Sequence, residues 1–107
     1  MIESQATISA WAENTFGPSS SNARVAARAN EEMAELLRAL TADDNNPGAI
    51  GEAADVVIVL FRLAGRMGES LMAEVDRKMA INRAREWKID ASGHGYHVRD
   101  KAVTNAA

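Results

Sequence analysis

Apolar residues recur along this chain with a helical period. Between residues 22 and 40 they fall at Val25, Ala29, Met33, Leu36, Leu37 and Leu40, the spacing that places side chains on one helical face. Upstream, Ile8 and Trp11 share an i, i+3 spacing inside a segment spanning Glu3–Asn14. A third segment, Ala49–Arg66, holds the continuous apolar run Val56–Phe61. A helix apolar on all sides belongs in the middle of a bundle. The fourth segment, Glu69–Lys88, carries Leu71, Val75 and Met79 and then turns mostly charged. Loop chemistry separates the segments. "FGPSSS" follows the first, "TADDNNPG" the second, and Gly65 and Gly68 mark the end of the third. No internal repeat and no convincing strand is legible. The pattern predicts one all-α, four-helix bundle-like domain over residues 1–97, with a polar tail over 98–107.

Composition narrows the class. At 107 residues the chain makes one domain, and 47% hydrophobic content is too high for disorder. A domain this small buries only roughly two thirds of its unfolded surface, so assembly into a homo-oligomer is an expected source of stability. A net charge of −3 gives no general attraction to nucleic acid or an anionic membrane. The absence of cysteine excludes disulfides, thiolate chemistry and cysteine zinc sites. Glu3 and Gln5 interrupt any signal peptide, and Val56–Phe61 is far short of a bilayer span. A cytoplasmic location is expected.

Acids then change the picture. With Val25 at 0° on the second segment, the apolar arc spans about 0–120°. Glu32 falls near about 340°, Glu35 near about 280° and Glu31 near about 240°. Glu32 therefore borders the buried stripe, and Glu31 is the most peripheral. On the third segment Glu52 and Asp55 are i, i+3 neighbours, and Val59 continues their line. Two helices thus each present carboxylates to a shared interior edge. Such groups repel one another at low dielectric, and the remedies are protonation, cations or metal. Oxygen-only ligands suit Mg²⁺ or Mn²⁺. Arg24 and Arg28 share the arc of Glu31 and Glu35, so intrahelical ion pairs are the competing explanation.

The fourth segment adds a basic line. With Leu71 at 0°, Lys78, Asn82 and Arg85 fall near about 340°, 20° and 320°. Lysine and arginine there suit phosphate oxygens. Cations at a helix C-terminus also favour the helix dipole, so spacing alone leaves both readings open.

These residues together resemble a known family. Glu31-Glu32-x-x-Glu35, sixteen residues, then Glu52-x-x-Asp55 resembles the EExxE…ExxD pattern of the MazG-like all-α nucleoside triphosphate pyrophosphohydrolases. "KMAINRAREW" resembles that family's Lys-x-x-x-Asn-x-x-Arg-x-Trp segment. "WAENTFG" and "GHGYHV" are similar to stretches of small phage and bacterial members, so the likeness covers roughly residues 11–97. The resemblance implies a MazG fold that hydrolyses (d)NTP to (d)NMP and pyrophosphate with Mg²⁺, for which Mn²⁺ can substitute. It implies Glu32, Glu35, Glu52 and Asp55 as metal ligands, with Glu31 a further ligand or a positioner of the attacking water. Lys78, Asn82 and Arg85 would hold the phosphates. The family also implies a homodimer or a dimer-of-dimers homotetramer. Relatives acting on dGTP and dATP make purine deoxynucleotides the expected substrates. House-cleaning of damaged nucleotides, and pyrimidines such as dUTP or dCTP, stay open.

The base pocket is less sharply drawn. Trp11, with Ile8 on its face, suits either base stacking or core packing. Asn30 falls near about 140°, partly buried beside Leu37, and suits either a base edge or a structural partner. Trp87 and the "GHGYHV" segment are expected to close over the site or to pack on a neighbouring subunit. His94 and His97, in a loop without nearby acids, are not expected to bind metal. A ferritin-like di-metal centre needs Glu-x-x-His pairs, and no His follows a Glu by three residues here. The phosphoribosyl-ATP pyrophosphatases of the same superfamily usually lead into the double Glu with a Lys-Val-Gly-type stretch, where this chain has "AARANEE". A non-catalytic helical oligomer, its acids held in ion pairs, is the alternative from another class.

Overall fold

The computed structural model describes residues 2–98. Its elements are α1 (Gln5–Phe16), α2 (Asn22–Ala42), α3 (Ala49–Arg66), α4 (Leu71–Ala84), β1 (Trp87–Ile89) and β2 (Gly95–His97). The chain divides into two compact units between Leu71 and Met72.

In the first unit, α3 packs against both α1 and α2. Local chemistry sets each helix start. The Ser4 hydroxyl accepts from the Thr7 backbone N–H at 3.3 Å, while the Thr7 hydroxyl oxygen accepts from Ser4 N–H at 2.9 Å. This reciprocal pair opens α1. The Ser21 hydroxyl accepts from Arg24 N–H at 3.1 Å and opens α2. Asn46 Oδ1 accepts from Gly48 N–H at 2.9 Å just ahead of α3. Gly17, with φ of 74°, ends α1 in a conformation that a side chain would resist.

α3 ends at Arg66, between Gly65 and Gly68 as expected, and Gly68 takes φ of 70° just past it. Gly65, its penultimate residue, has a second use. Its lack of a side chain serves packing, since Ser9 of α1 lies directly against it. The expected centrality of α3 holds for its neighbours but not for its covering. Among the described residues only Ala12, Val25 and Ala49 are buried hydrophobics, and Val57 keeps 44% of its surface. A single copy of the chain leaves the apolar run partly in solvent.

The second unit holds the largest correction. α4 begins at Leu71 and stops at Ala84, not Lys88, and the next residues form a two-stranded antiparallel hairpin pairing Trp87 with His97 and Ile89 with Gly95. The turn explains it. Asp90 Oδ1 accepts from the Ser92 N–H at 3.0 Å, the Ser92 hydroxyl at 2.6 Å and the His94 N–H at 2.9 Å, and Gly93 takes φ of 82°. Three-residue strands give too short an alternation to stand out against the helical period before them. Of the tail expected at 98–107, Val98 is described and donates its N–H to the Glu86 carbonyl at 2.7 Å; residues 99–107 lie outside the described residues. No helix among the described residues is long and apolar enough to cross a membrane.

Candidate active site

α2 and α3 bring three acids to one point. Glu32, Glu52 and Asp55 each offer a carboxylate oxygen, and these atoms lie within 4.8 Å of one another. Glu32 reaches the cluster from the border of the α2 apolar stripe, with its side chain only 17% exposed. Glu52 and Asp55 reach it from successive turns on one face of α3. Three carboxylates at this separation repel one another. One cation offsets part of that: Arg28 Nη2 stands 3.3 Å from Glu32 Oε1. The donor set consists of hard oxygens and has the chemistry that Mg²⁺ or Mn²⁺ prefers.

The other two acids of the motif are elsewhere. Glu31 is exposed and pairs with Arg28 Nη1 at 2.8 Å. Glu35 is also exposed, pairs with Arg38 Nη2 at 3.3 Å and stands outside the three-acid cluster. Intrahelical ion pairs therefore exist on α2 beside the cluster, formed by Arg28 and Arg38.

A cavity of about 680 Å³ opens beside the acids, with Glu32 and Asp55 in its wall. Its apolar lining comes from Trp11, Phe16, Val25, Ile58 and Val59. Trp11 is 54% exposed, which is more than a core aromatic keeps. It meets Phe16 edge-on, with ring centroids 5.5 Å apart. Ile8 is half-buried on α1 and does not line this cavity. Asn30 is exposed rather than partly buried, and it does not line the cavity either. Its position one residue ahead of Glu31 turns it outward on a helix whose inner stripe runs through Val25, Ala29 and Glu32.

Phe16, Glu13 and Arg62 were not legible as site residues. Arg62 lines the cavity, lies with its guanidinium carbon 5.6 Å from the centre of the Phe16 ring, and approaches Glu13 Oε1 at 3.4 Å. Arg66 donates to the same oxygen at 3.1 Å. These two guanidinium groups hold the Glu13 carboxyl below its ordinary pKa. The available sequence signal was Arg62 and Arg66 one turn apart in the otherwise apolar C-terminal part of α3.

In the second unit, Lys78, Asn82 and Arg85 are half-buried, with Arg85 just past the end of α4. The Asn82 side-chain oxygen accepts from Arg85 Nη1 at 3.5 Å, and the Asn82 carbonyl accepts from the Trp87 indole N–H at 2.7 Å. The Trp87 ring meets His97 edge-on at 5.8 Å.

No protein-family model matches the chain. It is 36% identical over 101 residues to a dATP/dGTP diphosphohydrolase of Salmonella phage PMBT28, covering 94% of this chain but only 32% of that protein. It is 33% identical over 98 residues to a dATP/dGTP diphosphohydrolase of Cyanophage S-2L, covering 92% of this chain and 88% of that one. A solved structure, the Cyanophage S-2L MazG-like pyrophosphohydrolase bound to dGDP and three catalytic Mn²⁺ ions per active site, superposes with a TM-score of 0.71 at 30% identity and covers 91% of each chain. With a carboxylate cluster between two helices and relatives matched over nearly its whole length, the chain belongs to the MazG-like pyrophosphohydrolases.

Proposed function

We propose that this chain hydrolyses purine deoxynucleoside triphosphates, dGTP or dATP, to the monophosphate and pyrophosphate, with Mg²⁺ or Mn²⁺. The observation that carries the reading is the meeting of Glu32, Glu52 and Asp55 at the edge of an aromatic-walled cavity. The Salmonella phage PMBT28 and Cyanophage S-2L relatives are dATP/dGTP diphosphohydrolases, which supports the choice of purines. Glu32, Glu52 and Asp55 would hold the metal, with Glu35 as a fourth ligand in place of its pairing with Arg38. Glu31 would be a further ligand or would orient the water. A bound divalent ion neutralises phosphate charge and makes water a better nucleophile at neutral pH. The chain's own work is positioning, which dominates phosphoryl transfer. Trp11 faces the base across the cavity, and Lys78, Asn82 and Arg85 bind phosphate oxygens. Water adds to phosphorus, the α–β phosphoanhydride bond breaks, and pyrophosphate leaves.

Residues 1–97 act as one catalytic domain in this reading. A homodimer or homotetramer covers the half-exposed α3 run and exposed residues such as Leu37 and Ile50. Light scattering on the purified chain tests this, with a monomer mass as the contrary result. Its substrates would be met in the cytoplasm.

Pyrophosphate release across the canonical dNTPs and dUTP, with Mg²⁺, Mn²⁺ or EDTA, tests the activity. Metal-dependent release from dGTP or dATP, lost in Asp55→Ala and reduced in Lys78→Ala, is expected. Metal-independent release overturns the metal's role, and no release from any nucleotide overturns the reading and favours the non-catalytic scaffold.

A further inference from the structure

Arg62 is the cation set most deeply in the cavity wall, its side chain only 13% exposed. Its contacts all run to α1 and the loop that follows. Nη2 donates to the Gly17 carbonyl at 2.9 Å, Nε approaches Glu13 Oε1 at 3.4 Å, and the guanidinium lies over the Phe16 ring. Arg66, one turn later, donates to Glu13 Oε1 at 3.1 Å, to the Ser19 carbonyl at 3.2 Å and to Asn22 Oδ1 at 2.9 Å. Two cations of α3 thus fasten the end of α1, the connecting loop and the start of α2. Asp55 and Arg62 are i, i+7 on α3, two turns apart on one side of one rigid helix. That helix carries an acid of the cluster at one end and the support of the aromatic wall at the other.

We propose that Arg62 is a positioning residue for base selection. It holds Phe16, and through the edge contact Trp11, as a fixed wall on which the nucleobase stacks. This rests on the function proposed above. Aromatic surfaces bind bases through their π-faces, and stacking strength differs between bases. A wall held in one orientation favours the larger purine face; a wall free to swing does not. Lysine cannot replace the arginine. Only a planar guanidinium stacks on a ring and donates to a carbonyl and a carboxylate at once.

The test compares the unmodified chain with Arg62→Lys, Arg62→Ala, Phe16→Leu and the double variant Arg62→Lys, Phe16→Leu. Each is assayed for kcat and KM with dGTP, dATP, dCTP and dTTP, and each thermal midpoint is recorded. Arg62→Lys is expected to raise KM for purines by about tenfold with kcat changed less than about threefold. The purine-over-pyrimidine ratio of kcat/KM then falls toward unity. Phe16→Leu is expected to lower the same ratio, and the double variant to add little, because both act on one wall. Should Arg62→Ala fail to fold, Arg62→Lys and Phe16→Leu decide. An unchanged ratio in both, or equal loss on all four nucleotides, overturns the proposal. Quenching of Trp11 fluorescence by non-hydrolysable α,β-methylene dGTP, in a Trp87→Phe background, supplies a readout independent of turnover. If the unmodified chain turns over nothing, the activity reading fails. Quenching that weakens in Arg62→Lys then still upholds the wall, and no quenching at all sinks it.

Discussion

Gly65 on α3 lies against Ser9 on α1 so closely that a Cβ built on the glycine would stand 2.8 Å from the Ser9 Cβ and closer still to its hydroxyl. The two helices meet where there is no room for another atom. Ser9 is two residues before Trp11, so this seam also sets where the cavity's aromatic wall begins. Gly65→Ala is expected to destabilise the fold by about 1–3 kcal/mol, the usual effect of overpacking. Ser9→Gly in the same chain should recover most of that loss. Urea unfolding of the single and double variants measures both, and a Gly65→Ala chain as stable as the original contradicts the close packing.

The acid cluster predicts opposite effects on activity and on metal-free stability. Asp55→Asn should lower metal-dependent turnover by at least about 100-fold, because metal and reacting phosphate are no longer held together. Without metal the same change removes one of three mutually repelling charges. The thermal midpoint in EDTA should therefore stay level or rise. A fall there would show that the carboxylate supports the fold instead.

Arg28 bridges Glu31 and Glu32 and so competes with any cation that Glu32 binds. Arg28→Ala should tighten Mn²⁺ binding by up to about fivefold, in keeping with the modest strength of partly exposed ion pairs. Calorimetric titration with Mn²⁺ checks this. Weaker binding would mean that Arg28 orients Glu32 for the metal.

Glu13 supplies a pH dependence of known sign. Its carboxyl is held below the ordinary glutamate value by hydrogen bonds from Arg62 and then Arg66. Its contribution to stability is complete above the unfolded value of about 4.3 and is lost as pH falls through the lower folded value. The unmodified chain should lose thermal stability on acidification below about pH 4.3 more steeply than Glu13→Gln does. Parallel acid limbs would show that the clamp does not titrate with folding.

Much of this was legible in one dimension. The bounds of α3 follow from where the apolar run meets turn residues on both sides. Glu32 could be placed at the edge of the buried stripe because helical angle is a local property, set by 3.6 residues per turn. Glu52 and Asp55 could be paired for the same reason. The hairpin was not legible, because its strands are three residues long and its turn is held by one aspartate side chain. Gly65 could be read as marking the end of α3, but its close packing on Ser9 could not, since a glycine's use in packing shows only once the opposing helix is in place.

What the sequence determined by itself was therefore the set of helices and the face on which each acid lies. Tertiary structure decided which acids meet. Glu32 joins Glu52 and Asp55, while Glu35, one turn along on the same helix, turns to Arg38. It also decided that Arg62 and Arg66 share one carboxylate oxygen of Glu13, 49 residues before Arg62, and steady the cavity wall. Helical periodicity follows from the neighbours of each residue, but a carboxylate's partner depends on how two helices cross, and that geometry is set by packing rather than by spacing.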